Sequence, residues 1–200
     1  MSESERTPAA GRRRPARERV LAAAARRFYA HGVTATGIDT ITADAGVAKM
    51  SLYNNFPSKA DLVLAYLDAR HQEWLTRYRA RLERADGPRD GVLAVFDTYV
   101  DSAEPVRGDT FRGCGLLNAA GELPAGDAGR ALVRRQKEEV ERLMADQVGM
   151  LLPGCPEAAR TLAEHLAFLL EGAMVRAGLE GDSGRLRQAR TMAARLLESA

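Results

Sequence analysis

Residues 32–67 read GVTATGIDTITADAGVAKMSLYNNFPSKADLVLAYL, and the punctuation of this stretch decides the fold. Gly32 follows a first helix that begins at Ala16, along which Val20, Leu21, Ala24, Ala25 and Phe28 recur at three- and four-residue spacing. A glycine there suits a left-handed cap after His31. A second helix is expected from Thr36, its hydroxyl acting as the cap and Asp39 as the acidic member of a capping box. Ile41 and Ala45 face inward, Gly46 breaks the helix in a tight turn, and Val47 plugs the angle before a short third helix over 48–55 that buries Leu52. Phe56-Pro57-Ser58 closes that helix, and Ser58 caps a long fourth one running to about Arg84.

A helix, a glycine turn and a short helix make the helix-turn-helix geometry that sets its second helix in a DNA major groove. Outward from this block, residues 1–15 are polar, carry Pro8, Gly11 and Pro15, and show no apolar period, so a mobile basic tail is expected. Towards the other end, Gly87-Pro88 separates the fourth helix from a fifth over 89–102, with Val92, Val95, Phe96 and Tyr99 on one face. A loop through Gly108 leads to FRGCGLLNAAGELP, residues 111–124, read as a short helix over 113–122. A seventh helix over 125–151 ends at Pro153-Gly154 and Pro156, and two more follow over 157–178 and 183–199. The expected architecture is all-α with about nine helices. It comprises the tail 1–15, a three-helix DNA-binding domain over 16–60 and a C-terminal helical sensing and dimerisation domain over 61–200.

With 46% apolar residues the 200-residue chain can bury a real core. The net charge of +2 conceals an asymmetry: residues 1–60 carry ten Lys and Arg against five Asp and Glu, whereas 61–200 carry nineteen against twenty-two. The basic excess sits where phosphates would be met. Cys114 and Cys155 lie far apart with no nearby Cys/His partner, so neither a metal nor a disulfide framework is expected. No window of about 18 apolar residues occurs. Arg12-Arg13-Arg14 is followed by charged sequence, unlike a secretory signal, and a cytoplasmic protein is expected. His31, His71 and His165 stand in separate contexts, with no phosphate loop, G-x-S-x-G or H-E-x-x-H string. Catalysis and a cofactor are therefore not expected.

The register over 16–64 also resembles the DNA-binding domain of the TetR family of regulators. The matching elements are the first helix ending in Phe28 and Gly32, then Thr36, Ile41, the Ala45-Gly46-Val47 turn, Leu52-Tyr53, Phe56, Ser58-Lys59 and Leu62. Residues 111–124 are similar to a segment recurring in the sensing domains of such regulators. The resemblance implies that Lys49 and Met50 approach bases, the lysine donating to guanine and the methionine packing on a thymine methyl. Ser51, Tyr53, Asn55 and Lys59 would meet phosphates, and Asn54 would do either job. Asp39 is discordant, because a basic residue touches DNA near this point in some members; Thr40 then becomes the DNA contact of that helix. Packing is the alternative reading of Met50 and Tyr53, surface charge that of Lys59, and Arg12 to Arg14 suit a solvated tail at least as well as a groove-tracking arm.

The same resemblance implies a homodimer on a palindromic operator in double-stranded DNA, released as a repressor by a small, largely apolar ligand. The last two helices would dimerise through Leu162, Leu166, Leu169, Leu170, Ala173, Met174, Leu186, Ala189, Ala193 and Leu196, stripes that a protomer's own core also explains. Along the fourth helix, His71, Trp74 and Tyr78 recur at helical spacing, and with Phe96, Tyr99, Cys114, Asn118 and Met144 they would line the ligand pocket. Ordinary core packing accounts for the same aromatics. Cys114, near a helix N-terminus whose partial charge favours the thiolate, leaves open a redox or electrophile sensor. A regulator without any small-molecule effector is the other alternative.

Overall fold

The computed structural model describes residues 15–103 and 111–199; the N-terminal tail with Arg12 to Arg14 and the loop at Gly108 lie outside the described residues. The first helix, α1 (Ala16–His31), buries Val20, Ala23, Ala24 and Phe28 and stops at Gly32, whose φ of +88° disfavours any other residue.

The second helix, α2 (Ile38–Ala45), begins two residues later than the sequence suggested. Thr36 does not cap it. The buried Thr36 hydroxyl donates instead to the carbonyls of Gly32 (2.6 Å) and Arg27 (3.3 Å), sealing the turn after α1, while Gly37 is the cap residue without any side-chain capping bond. Asp39 therefore belongs to no capping box. At the other end of α2, Gly46 is left-handed (φ +61°), and Nη1 of Arg19 reaches across from α1 to the carbonyls of Ala45 (3.0 Å) and Gly46 (2.9 Å). A cation on the last carbonyls of a helix opposes its dipole and satisfies acceptors that the helix leaves bare.

The short helix α3 (Lys49–Asn55) is pinned by Leu52, which is fully buried, and Phe56 closes the domain's floor. Ser58 caps α4 (Lys59–Leu82) as expected: its Oγ accepts from the Asp61 N–H at 3.1 Å and donates to the Asp61 carboxylate at 2.7 Å. The remaining helices are α5 (Pro88–Ala103), α6 (Gly115–Glu122), α7 (Ala128–Leu151), α8 (Pro156–Glu180) and α9 (Gly184–Glu198). The described residues thus form nine helices and no strand. Two starts come later than the apolar period implied, because Gly113 and Gly126 adopt positive φ and Asp127 caps α7 through the Gly129 N–H at 2.7 Å.

Two apolar cores share this framework. The first gathers α1 to α3 with Leu62, Val63, Tyr66 and Leu67 of α4, and extends to Ala119 of α6 and Val133 of α7. The second holds Trp74, Leu75 and Tyr78 of α4 with α5, the rest of α7, α8 and α9. Both α4 and α7 pass through the two cores, so a tilt of either helix is felt in both. Close packing makes that transmission stiff.

A seam joins α1 to α6 across more than eighty residues of sequence. The Tyr29 hydroxyl accepts the Arg112 N–H at 2.8 Å, and the Arg112 guanidinium donates to the carbonyls of Tyr29 (2.9 Å) and Ala30. The Glu122 carboxylate accepts from the N–H groups of Val33 (3.1 Å) and Thr34 (2.7 Å). Burial works against the Glu122 charge, but these donors outweigh it and hold the carboxyl below its ordinary range. Among the described residues no helix is long and apolar enough to cross a membrane.

Candidate nucleic-acid interface

Because Leu52 faces the core, the opposite side of α3 faces outward. Lys49, Met50, Tyr53 and Asn54 are exposed, Met50 to 70%, while Ser51 and Asn55 are half-buried. A methionine this open buries little apolar area within the protomer, which disfavours packing as its role. The Asn55 amide donates to the Ser51 carbonyl at 2.7 Å, leaving its carbonyl oxygen and second N–H available. Thr40 is exposed on α2, and half-buried Lys59 is the first residue of α4, where free backbone N–H groups favour an anion.

The discordant Asp39 has a partner. Its carboxylate lies 2.8 Å from Nζ of Lys49, joining the start of α2 to the start of α3. The hydrogen bond and charge of Asp39 raise the Lys49 pKa. Nearby cations are also engaged. Arg27 forms a two-pronged pair with Asp44 (2.6 and 2.9 Å), which lowers the Asp44 pKa, and the Arg17 guanidinium lies 5.2 Å from the Phe56 ring centre. Sequence reasoning missed the Asp39–Lys49 and Arg19 contacts, since both span a turn whose geometry no periodicity reports.

In the second core Trp74, Tyr78, Phe96, Tyr99 and Met144 are buried together, and His71 is buried beside them with its ring stacked on Trp74 at 6.3 Å. Trp74 stacks on Tyr78 at 5.4 Å and meets Tyr99 at 5.2 Å, while His71 Nε2 lies 2.7 Å from Glu139. Asn118 stands apart from this cluster on the exposed side of α6, donating to the Arg112 carbonyl at 2.7 Å. Cys114 is the half-buried cap residue of α6, and both cysteines are free thiols.

Three polar residues of α7 and α8 join this cluster and were absent from the sequence reading, Lys137, Glu139 and Glu171, as was the buried Gln136, whose amide donates to the Leu67 carbonyl at 3.4 Å. Lys137 Nζ bonds to Glu171 (2.8 Å) and the Tyr99 hydroxyl (3.2 Å). Burial opposes its charge, yet Tyr99, Cys114 and Glu171 together raise its pKa well above the ordinary value; burial also pushes the Tyr99 phenol up to about 12. Trp74 Nε1, Tyr78 OH, Gln136 Oε1 and one oxygen of Glu171 are buried without a hydrogen-bond partner. Buried unpaired polar atoms are costly and call for an explanation. The signal for Gln136 was present, since it falls in phase with Val133 and Val140 on an otherwise apolar face. An open cleft of about 550 Å³ lies elsewhere, against Arg77, Arg81, Asp97, Asp101 and Arg190.

The dimer candidates divide. Leu166, Leu170, Met174, Leu186, Ala189 and Ala193 lie in the protomer's own core; Leu162, Leu169 and Ala173 are half-buried, and Leu196 is exposed. The apolar side chains left in solvent on these helices are others: Phe168, Val175 and Leu179 on α8 and Met192 beside Leu196 on α9. Of these, Phe168 and Met192 border a shallow groove of about 290 Å³ between the two helices, whose lining also includes Leu169, Ala173, Arg176 and Arg185.

A family model described as bacterial regulatory proteins, tetR family, matches residues 20–66. The transcriptional activator FasR of Mycolicibacterium smegmatis is 35% identical over 107 residues, half of this chain and 49% of FasR. The transcriptional regulator TtgR of Pseudomonas putida is 41% identical over 56 residues, 28% of this chain and 27% of TtgR. The chain thus spans about half the length of one of these curated relatives and about a quarter of the other. Among solved structures, a TetR transcriptional regulator from Chloroflexus aurantiacus is 30% identical with a TM-score of 0.76, covering 92% of this chain and 94% of its own. A TetR-family regulator from Streptomyces coelicolor is 29% identical with a TM-score of 0.77, covering 92% and 93%.

Proposed function

Since this chain belongs to the TetR family of helix-turn-helix transcriptional regulators, we propose that it acts in the cytoplasm as a homodimeric repressor that binds a palindromic operator and is released from it by a small, largely apolar ligand. The observation that carries this reading is the outward face of α3, where Lys49, Met50, Tyr53 and Asn54 stand in solvent over a fully buried Leu52. Base contacts fall to Lys49 and Met50. Phosphate contacts fall to Ser51, Tyr53, Asn55 and Lys59, with Thr40 from α2 and Asn54 in either role.

The dimer reading rests on Phe168, Val175 and Leu179, which recur along one side of α8 and stand in solvent, with Met192 and Leu196 exposed on α9. A second copy related by a two-fold axis buries that surface and sets two α3 helices about one helical turn of DNA apart, roughly 34 Å. Selecting duplexes from a random pool with the purified protein is expected to enrich a symmetric site. An asymmetric site, or no enrichment, would refute the reading.

Support for a ligand comes from the unpaired Trp74 Nε1 and Tyr78 OH within the second core, which offer polar handles inside an aromatic surround. A ligand shifts the operator equilibrium only by binding one conformation better than the other. Melting the protein with and without small apolar compounds should find some that raise Tm and also release the selected duplex. If stabilising compounds never release DNA, the effector-free alternative stands. A second reading is favoured by Cys114, a free thiol at the N-cap position of α6, without a side-chain capping bond, and close enough to Lys137 and Tyr99 to influence both. An oxidant or electrophile that releases DNA from the native protein but not from Cys114→Ser would establish that reading.

A further inference from the structure

Asp39 is at odds with a surface built for phosphates, and its geometry explains why it is there. Its side chain is the second of α2, Lys49 is the first of α3, and the two meet at 2.8 Å although both stay largely in solvent. Exposed pairs of this kind contribute little to stability. A lysine at the first position of a helix is also placed against the helix dipole, which favours anions at that end. The pair is therefore explained neither by folding nor by a general attraction to DNA.

We propose that Asp39 is a specificity-determining positioning residue, which tethers the Lys49 ammonium over the base edges and keeps it from neutralising a phosphate. This rests on the helix-turn-helix reading above. An ammonium has three N–H donors; with one directed to Asp39, two remain for acceptors on a base. A carboxylate beside the same ammonium repels phosphate oxygens, so the energetically open target is the groove floor rather than the backbone. The neighbouring cations reinforce the point. Arg19 caps α2, and Arg27 is matched by Asp44, so this side of the domain gains little non-specific attraction from them. Non-specific affinity grows with each phosphate neutralised, whereas selectivity grows with each base contact. The Asp39–Lys49 pair converts a residue of the first kind into one of the second.

The test compares the native protein, Asp39→Asn, Lys49→Met and the double variant on two duplexes: one selected from a random pool by the native protein, and a shuffled duplex of equal length. Each is titrated from low to high salt. Asp39→Asn should bind the shuffled duplex more tightly, lose about tenfold in the ratio of selected to shuffled affinity, and steepen the salt dependence by about 0.9 in log–log slope per protomer. Lys49→Met alone should abolish preference at one base pair of each half-site without changing the slope, and in the double variant it should cancel the steepening. Circular dichroism melts should be unchanged throughout, as expected for exposed side chains. An unchanged ratio and slope in Asp39→Asn would overturn the proposal. So would a slope flattened by Lys49→Met in the native background, since that would make Lys49 a phosphate contact already. If the native protein enriches no duplex at all, it is the DNA-binding reading that fails, which the variants then need not be made to show.

Discussion

Replacing Leu179 by aspartate, and separately Phe168 by aspartate, is expected to split the proposed homodimer and weaken binding to its proposed operator by about 10²–10⁴-fold, the range that joining two binding units supplies. Leu179 is 79% exposed and Phe168 65%, so neither substitution removes a contact from the protomer's own core. In a two-fold assembly each new carboxylate is introduced twice, into a surface whose nearby cations, Arg176 and Arg185, are already paired with Glu180. Sedimentation should report monomers, with the melting of the isolated protomer little altered. Met150→Asp is the control, because Met150 is exposed and apolar but sits on α7. A dimer that survives both α8 substitutions would place the assembly surface elsewhere.

The second large effect is expected from Gly178→Ala on α8. A Cβ there would lie 2.7 Å from the Gly113 Cα, 2.9 Å from its nitrogen and 3.1 Å from the Arg112 carbonyl carbon. All three are backbone atoms. Gly113 is at φ +82° and the adjoining Arg112 is fastened to Tyr29 and Ala30, so the segment has nowhere to retreat without undoing those bonds. Overpacking of this kind costs about 1–3 kcal/mol, which corresponds to a fall in Tm of roughly 2–12 °C for a chain of this size. Gly149→Ala supplies the contrast. Gly149 is helical with nothing within 4 Å of its would-be Cβ, so alanine should gain about 0.5–1 kcal/mol. If both variants melt alike, the close approach of α8 to residues 112–113 carries no energetic weight.

The all-α architecture was legible because helix caps and breakers are local. Gly32, Gly46 and Ser58 act where they stand. Thr36 misled for the opposite reason. Its hydroxyl had a choice between the N-terminus of α2 and the carbonyls ending α1, and only the folded turn decides between them. Asp39, assigned to a cap by spacing, was thereby available to Lys49. On α8 the difficulty is periodicity itself. A helix apolar on two sides offers two stripes, and the leucines at 166 and 170 are as regular as the residues that remain in solvent. Spacing cannot say which stripe turns inward. In the second core the aromatics were conspicuous, whereas Lys137 and Glu171 were not, because a buried polar side chain off the apolar phase is recognisable only once its partners are known.

The seam between α1 and α6 bears on how such proteins can be recombined. Tyr29, Val33 and Thr34 are bonded to Arg112 and Glu122, residues that a cut after the DNA-binding helices would leave on the other fragment. A chimera that takes its DNA-binding helices from a relative would inherit one half of this joint without the other. Glu122 and the Arg112 guanidinium bond to backbone groups that any sequence supplies, so they stay matched only where the relative's α1 ends at the same place, and the Tyr29 hydroxyl is the side-chain partner that the exchange can remove. Exchanging operator preference between relatives therefore requires transplanting the α3 surface alone, or moving the segment around 112–122 together with α1.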